Sequence, residues 1–346
     1  MPHLETCPGL AGTSAFNLNN FLSQPGSGLT ALSTGSRKFF HPAVARRNEK
    51  RAALKQEAQL RYSISSLLHE PEQQVQQWLQ KNRCYLARVE RFRNKTQSRA
   101  RLQAHKASFR FQQRQEFEEL IRLDSRSRIL LGFHFGDFIY GNNVVADSEP
   151  ASRRQCFLTQ LPPTDHFLKN MRSCFGEVSF NNRQQLIADN TTPAELAAHL
   201  RRPQCSLLSF VDLPVGFGER VQVNFLGRRA WFPKGPATLA LVCKIPLLPV
   251  MNWWDGRLNR VQLFEQIEPR VVAGESLLQA TTRITQTLVD ILETVLLQHP
   301  WQWRFLTALP AFFIESDRGS RTDQFHSDKE LSNDSGRQAH RGEDTQ

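Results

Sequence analysis

Residues 128–143 read RILLGFHFGDFIYGNN. A short apolar run stops at Phe133, a histidine follows at 134, a glycine at 136 and an aspartate at 137. A run of this length ending in Gly, Asp and a new apolar pattern predicts a buried strand that turns into a helix. Open α/β folds bind ligands at the carboxyl ends of their strands, and His134 is expected at such an end. Gly136 permits an unusual backbone angle or the close approach of a ligand. Asp137 suits the first turn of the next helix, where its charge complements the helix dipole. If that helix begins near His134, residues three apart share a face. Asp137 would then hold the imidazole in one tautomer, as a general base requires. The alternative is a capping aspartate beside a buried histidine.

Outward from this stretch the chain alternates. SFRF (108–111) reads as a short strand and RQEFEELIRL (114–123) as a helix; QCFLT (155–159) and GEVSF (176–180) read as strands. A helix at PAELAAHLRR (193–202), SLLSFVDL (206–213), VQVNFLG (221–227) and a helix from Gly235 to Cys243 come next. PLLPVMNWW (246–254), RVQLFEQI (260–267) and a long helix from Ser276 to Pro300 complete the series. Strands alternating with helices predict an α/β domain, a layered and mostly parallel sheet flanked by helices, over residues 107–313. Residues 1–40 lack periodicity and read as a flexible arm, and 314–346 as a disordered tail. Between them, residues 41–106 form a basic helical extension. Pro71-Glu72 suits a helix start, and Trp78, Tyr85 and Phe92 recur every seven residues opposite Lys81, Arg83, Arg88, Arg91 and Lys95. Such a stripe packs on a core or lies on a membrane.

The chain has 346 residues, 40% of them hydrophobic, and a formal net charge of +11. From Arg37 to Arg128 there are 22 Lys and Arg against 9 Asp and Glu, so the basicity belongs to one segment. That points to an anionic partner, such as lipid headgroups, a phosphorylated substrate or nucleic acid, or to a solvated helical face. The six cysteines show no metal-ligand spacing and read as reduced, mostly buried thiols. No secretory signal or membrane span is expected; the best apolar stretch, 237–254, is interrupted by Lys244, Pro246 and Pro249. His105, His166 and His199 have no partner pattern, and no histidine–carboxylate spacing argues for metal.

HFG at 134–136 resembles the histidine motif of the lipid A biosynthesis (late) acyltransferases, within the lysophospholipid acyltransferase superfamily. SFVDLPVGFGERVQVNFLGRRAWFPKGPATLALVCKIPLLPV (209–250) resembles that family's central block, with its aspartate-ending strand, Phe-x-Gly-Arg turn and Gly-Pro-Ala helix start. LLQHPWQWRFL (296–306) is similar to its closing segment. The resemblance spans about residues 107–308 and implies fatty acyl transfer from an acyl carrier protein or coenzyme A thioester to a hydroxyl or amine. The family's acidic partner stands five residues after the histidine, where this chain has Ile139. Asp137 is expected to take its place, with Asp212 the remote alternative.

On this reading His134 and Asp137 are the catalytic residues, and Gly136, Asp212, Arg228 and Gly235 bind substrate. Arg228 matches the family's Gly-Arg position, where a guanidinium pairs with phosphate bidentately. Arg229 and Lys234 read as solvated charges, and Trp253, Trp254, Trp301 and Trp303 as core or acyl-groove aromatics. No cofactor or metal is expected beyond the acyl thioester donor. The expected partners are that donor, a lipid or glycoconjugate acceptor and, peripherally, an anionic membrane surface on the cytoplasmic side. Rival readings are a catalytically inactive lipid-binding relative and a nucleic-acid binder working through residues 37–128, which carries no recognisable binding motif.

Overall fold

The computed structural model describes residues 54–55, 57–68, 70–95, 104–159, 184–188, 191–214 and 218–314. The expected arm and tail, and the expected strand at 176–180, lie outside these residues.

The apolar run before His134 forms β2, Arg128–Gly132, and all five of its residues are buried. Ile129 and Leu131 enter one core and Leu130 the other, the period-2 alternation of a strand covered on both faces. Around it, β1 (Phe109–Phe111), β3 (Arg154–Thr159), β4 (Gln184–Ala188), β5 (Cys205–Phe210), β8 (Leu247–Trp254) and β9 (Asn259–Leu263) complete a seven-stranded sheet. Its order is β1-β9-β8-β2-β5-β3-β4. Every pairing in it is parallel except β8 with β9. The layered, mostly parallel sheet read from the sequence is therefore what the chain forms. A separate antiparallel hairpin joins β6 (Arg220–Phe225) to β7 (Arg228–Pro233). Its two-residue turn places Leu226 and Gly227 at φ 53° and 71°, the left-handed conformation that such hairpins require.

Helices α2 (Arg114–Leu123) and α3 (Phe138–Asp147) cover one face; Phe117, Ile121, Tyr140, Val144 and Val145 pack there with Leu130, Leu248 and Val250. The other face carries α4 (Pro193–Arg201), α5 (Gly235–Cys243) and α6 (Leu277–Gln298). Thr192 and Ser276 close capping boxes with Glu195 and Gln279, which starts α4 and α6 where their sequences predict. Helix α1 (Glu72–Lys95) belongs to this second core through Val75, Trp78, Leu79 and Tyr85. Trp78 packs on Trp301, Tyr85 stacks on Trp254, and the Asn82 amide donates to the Trp301 carbonyl at 2.7 Å. So Trp78 and Tyr85 of the aromatic stripe face the protein core. Burial of each large apolar side chain stabilises by roughly 1.5–3 kcal/mol, enough to fasten the helix to the domain. Two of its basic side chains also lie over indoles, Lys81 on Trp301 and Arg88 on Trp254. The Phe92 side chain lies outside the described residues. Cys156 and Cys205 are buried as expected, but Cys84 is exposed.

Candidate active site

Register decides which carboxylate meets His134. Strands β2 and β5 are parallel neighbours with Gly132 opposite Phe210. His134 and Asp212 each lie two residues further on, past the last ladder pair, so both side chains emerge at the carboxyl edge on adjacent strands. The His134 ring nitrogen Nδ1 lies 2.9 Å from Asp212 Oδ1, and the His134 backbone N–H donates to Asp212 Oδ2 at 2.7 Å. The indole N–H of Trp303 donates to the same Oδ2 at 3.0 Å. Beside a carboxylate, Nδ1 carries the ring proton, which leaves the Nε2 lone pair as the basic position. Among the described residues Nε2 has no hydrogen-bond partner. His134 is 3% exposed and Asp212 0%. The rings of Phe138, Phe210 and Phe305 surround the imidazole, with centroids 4.7, 4.3 and 4.9 Å away. Water is largely excluded, which strengthens every electrostatic contact of the pair.

The turn that carries His134 is clamped by the closing segment of the chain. Arg304 N–H donates to the His134 carbonyl at 2.9 Å, and Gly136 N–H donates to the Gln302 carbonyl at 3.1 Å. Phe135 and Trp303 form an isolated β-bridge between these two contacts. Gln302 in turn both accepts from the Trp254 N–H and donates to the Trp254 carbonyl through its side chain, at 2.7 Å each.

The expected pairing of Asp137 with His134 is not what forms. Helix α3 begins at Phe138, and Asp137 sits outside it at φ −91°, ψ 63°, without a side-chain capping bond. The two residues are thus not on one helix face, and the three-residue spacing loses its meaning. Asp137 Oδ2 instead lies 3.0 Å from Nε2 of His105, a histidine without a partner pattern in the sequence. That second pair is only part-buried, with His105 set edge-on against Phe109 and Tyr140. The only signal for it was its position just ahead of β1, at an edge of the same sheet.

The other candidates separate. Asp212, expected to bind substrate, is the carboxylate partner of the histidine. Gly136 has φ 58°, and a Cβ there would stand 2.6 Å from the Asn252 carbonyl oxygen. The close approach that the structure shows at Gly136 is to strand β8. Arg228 lays its guanidinium over Phe313, 4.1 Å from the ring centre, and takes no part in the hydrogen bonds of His134 or Asp212. Arg229 bonds Gln222, and Lys234 pairs with Glu219. Gly235 opens α5 with nothing within 4 Å of its Cβ position, so open space lies over that helix start. Arg220, not singled out by the sequence, donates to the carbonyls of Leu213 and Trp231 at 2.9 and 2.8 Å. It fastens the segment that follows Asp212 to β7, and burial pushes its guanidinium down to about 10.

Residues 195–309 match the family described as bacterial lipid A biosynthesis acyltransferase. Over that stretch, a third of its length, the chain is similar to this family. The matched stretch begins in α4 and takes in Asp212, Arg228, Gly235 and Trp303, while His134 and Asp137 precede it. No curated protein matches the chain. Among the described residues no group of three or more His, Cys, Asp and Glu is placed to hold a metal ion. None of the described helices is long and apolar enough to cross a membrane.

Proposed function

We propose that this protein transfers a fatty acyl group from an acyl thioester, carried by acyl carrier protein or coenzyme A, to a hydroxyl or amine of a lipid or glycolipid-like acceptor. The observation that carries the reading is the His134–Asp212 pair at the carboxyl edge, its Nε2 without a hydrogen-bond partner among the described residues, in a chain whose matched family is one of acyltransferases. His134 Nε2 takes the acceptor proton as the acceptor oxygen or nitrogen attacks the thioester carbonyl carbon. The tetrahedral intermediate collapses with loss of the thiolate. The imidazolium returns its proton to that sulfur, giving an ester or amide and a free thiol. Asp212 holds the Nδ1 proton throughout and stabilises the imidazolium. No covalent enzyme intermediate and no cofactor beyond the donor enter this scheme.

The test incubates the protein with medium- and long-chain acyl thioesters of coenzyme A and of acyl carrier protein, plus a glycolipid extract. Products are read by mass spectrometry as acceptors heavier by one acyl group. His134→Ala should remove that product while the melting temperature holds. Acyl transfer at the wild-type rate by His134→Ala would remove the histidine from the mechanism. A contact with anionic lipid would go through the basic segment 37–128. It predicts vesicle binding that weakens with salt, and no binding at low salt would count against it.

A further inference from the structure

Asp212 accepts three hydrogen bonds, and two of them come from His134, the residue it would orient. A carboxylate held only by its own client is a poor reference point, because the pair could rotate together. The third bond, from Trp303 Nε1, comes from 91 residues away, on the segment that also clamps the His134 turn. Trp303 is itself fixed: it is buried and packs among Phe225, Phe305 and Phe312, with centroids 5.9, 6.2 and 5.4 Å away. Such satisfaction of a buried indole is not automatic in this fold, since Trp254 Nε1 is buried without a partner among the described residues.

We propose that Trp303 is the positioning residue of the site: its indole N–H anchors Asp212 Oδ2, so that Oδ1 stays on the His134 Nδ1 proton and Nε2 keeps its free lone pair. This rests on the reading of His134 as the general base. Trp303 touches neither reacting atom; it acts through the carboxylate.

Trp303→Phe keeps an aromatic ring and deletes the donor. Loss of one hydrogen bond to a buried carboxylate should lower kcat about tenfold or more, with KM within about twofold. An indole that only filled space would leave kcat unchanged in the phenylalanine variant. A second readout works without turnover and without that variant folding. In the folded chain labelled with 15N at tryptophan, Asp212→Asn should move one buried indole N–H resonance, the one belonging to Trp303. Wild-type kcat in folded Trp303→Phe, or indole resonances all unmoved by Asp212→Asn, would overturn the proposal. Full activity in His134→Ala would overturn the underlying reading instead, so the two failures are distinguishable.

Discussion

The fold holds a buried histidine–aspartate pair, His134–Asp212, and a part-buried one, His105–Asp137, with N···O distances of 2.9 and 3.0 Å. Residue types and separation are nearly the same, yet the two differ in burial and in which ring nitrogen is engaged. His134 spends Nδ1 on its carboxylate and leaves Nε2, the far end of the ring, without a partner among the described residues. His105 spends Nε2 itself on Asp137, between the rings of Phe109 and Tyr140. The carboxylates differ too: Asp212 is bonded at both oxygens by three donors from two segments, whereas Asp137 ties the His134 turn to the chain ahead of β1. A histidine–aspartate contact alone therefore does not mark a base. On the proposed mechanism, the nitrogen left over and the anchoring of the acid do.

The largest effect is expected at the histidines: His134→Ala should lower kcat by about 10³-fold or more, and His105→Ala by less than about tenfold, both read as acyl product formed per minute. Equal losses would abolish the distinction. Next comes Gly136→Ala, which forces a Cβ at positive φ to within 2.6 Å of the Asn252 carbonyl. It should cost about 1–3 kcal/mol in denaturant unfolding, because the His134 turn must shift away from β8. A variant as stable as wild type would show that the turn is looser than described.

The smallest effect concerns His299, within the closing segment and stacked on Trp253. Burial, with Lys81 nearby, holds it below the ordinary histidine range, so the folded state keeps it neutral. The unfolded chain takes up that proton first as pH falls through about 6.5, so stability should decline below that pH and level off under the folded value. His299→Gln should flatten that part of the melting-temperature curve, and an unchanged slope would assign it elsewhere.

Much of the scaffold was legible. The runs at 114–123, 128–133 and 235–243 lie where α2, β2 and α5 form, because their periodicity and terminal signals agree. Strand β7 was not read: RRAWFP alternates, but its charged start looked like a turn, and only the hairpin with β6 makes it a strand. His134 and its place at the sheet edge were readable from the strand that ends before it. Its partner was not, since helix α3 starts only at Phe138 and the relevant spacing runs across strands. Had the β2–β5 register been known, counting two residues past Gly132 and Phe210 would have found Asp212. Trp303 was legible only as an aromatic in a family-like closing segment; its role depends on a contact 91 residues away.

The central claim is that Asp212, not Asp137, governs the reactive imidazole. Comparing kcat for Asp212→Asn and Asp137→Asn with one acyl thioester and one acceptor extract tests it most directly. An amide at 212 can offer Nδ1 the wrong tautomer, so a loss of about 10³-fold or more is predicted there, against less than about tenfold at 137. The reverse order, or equal and small losses, would contradict the account.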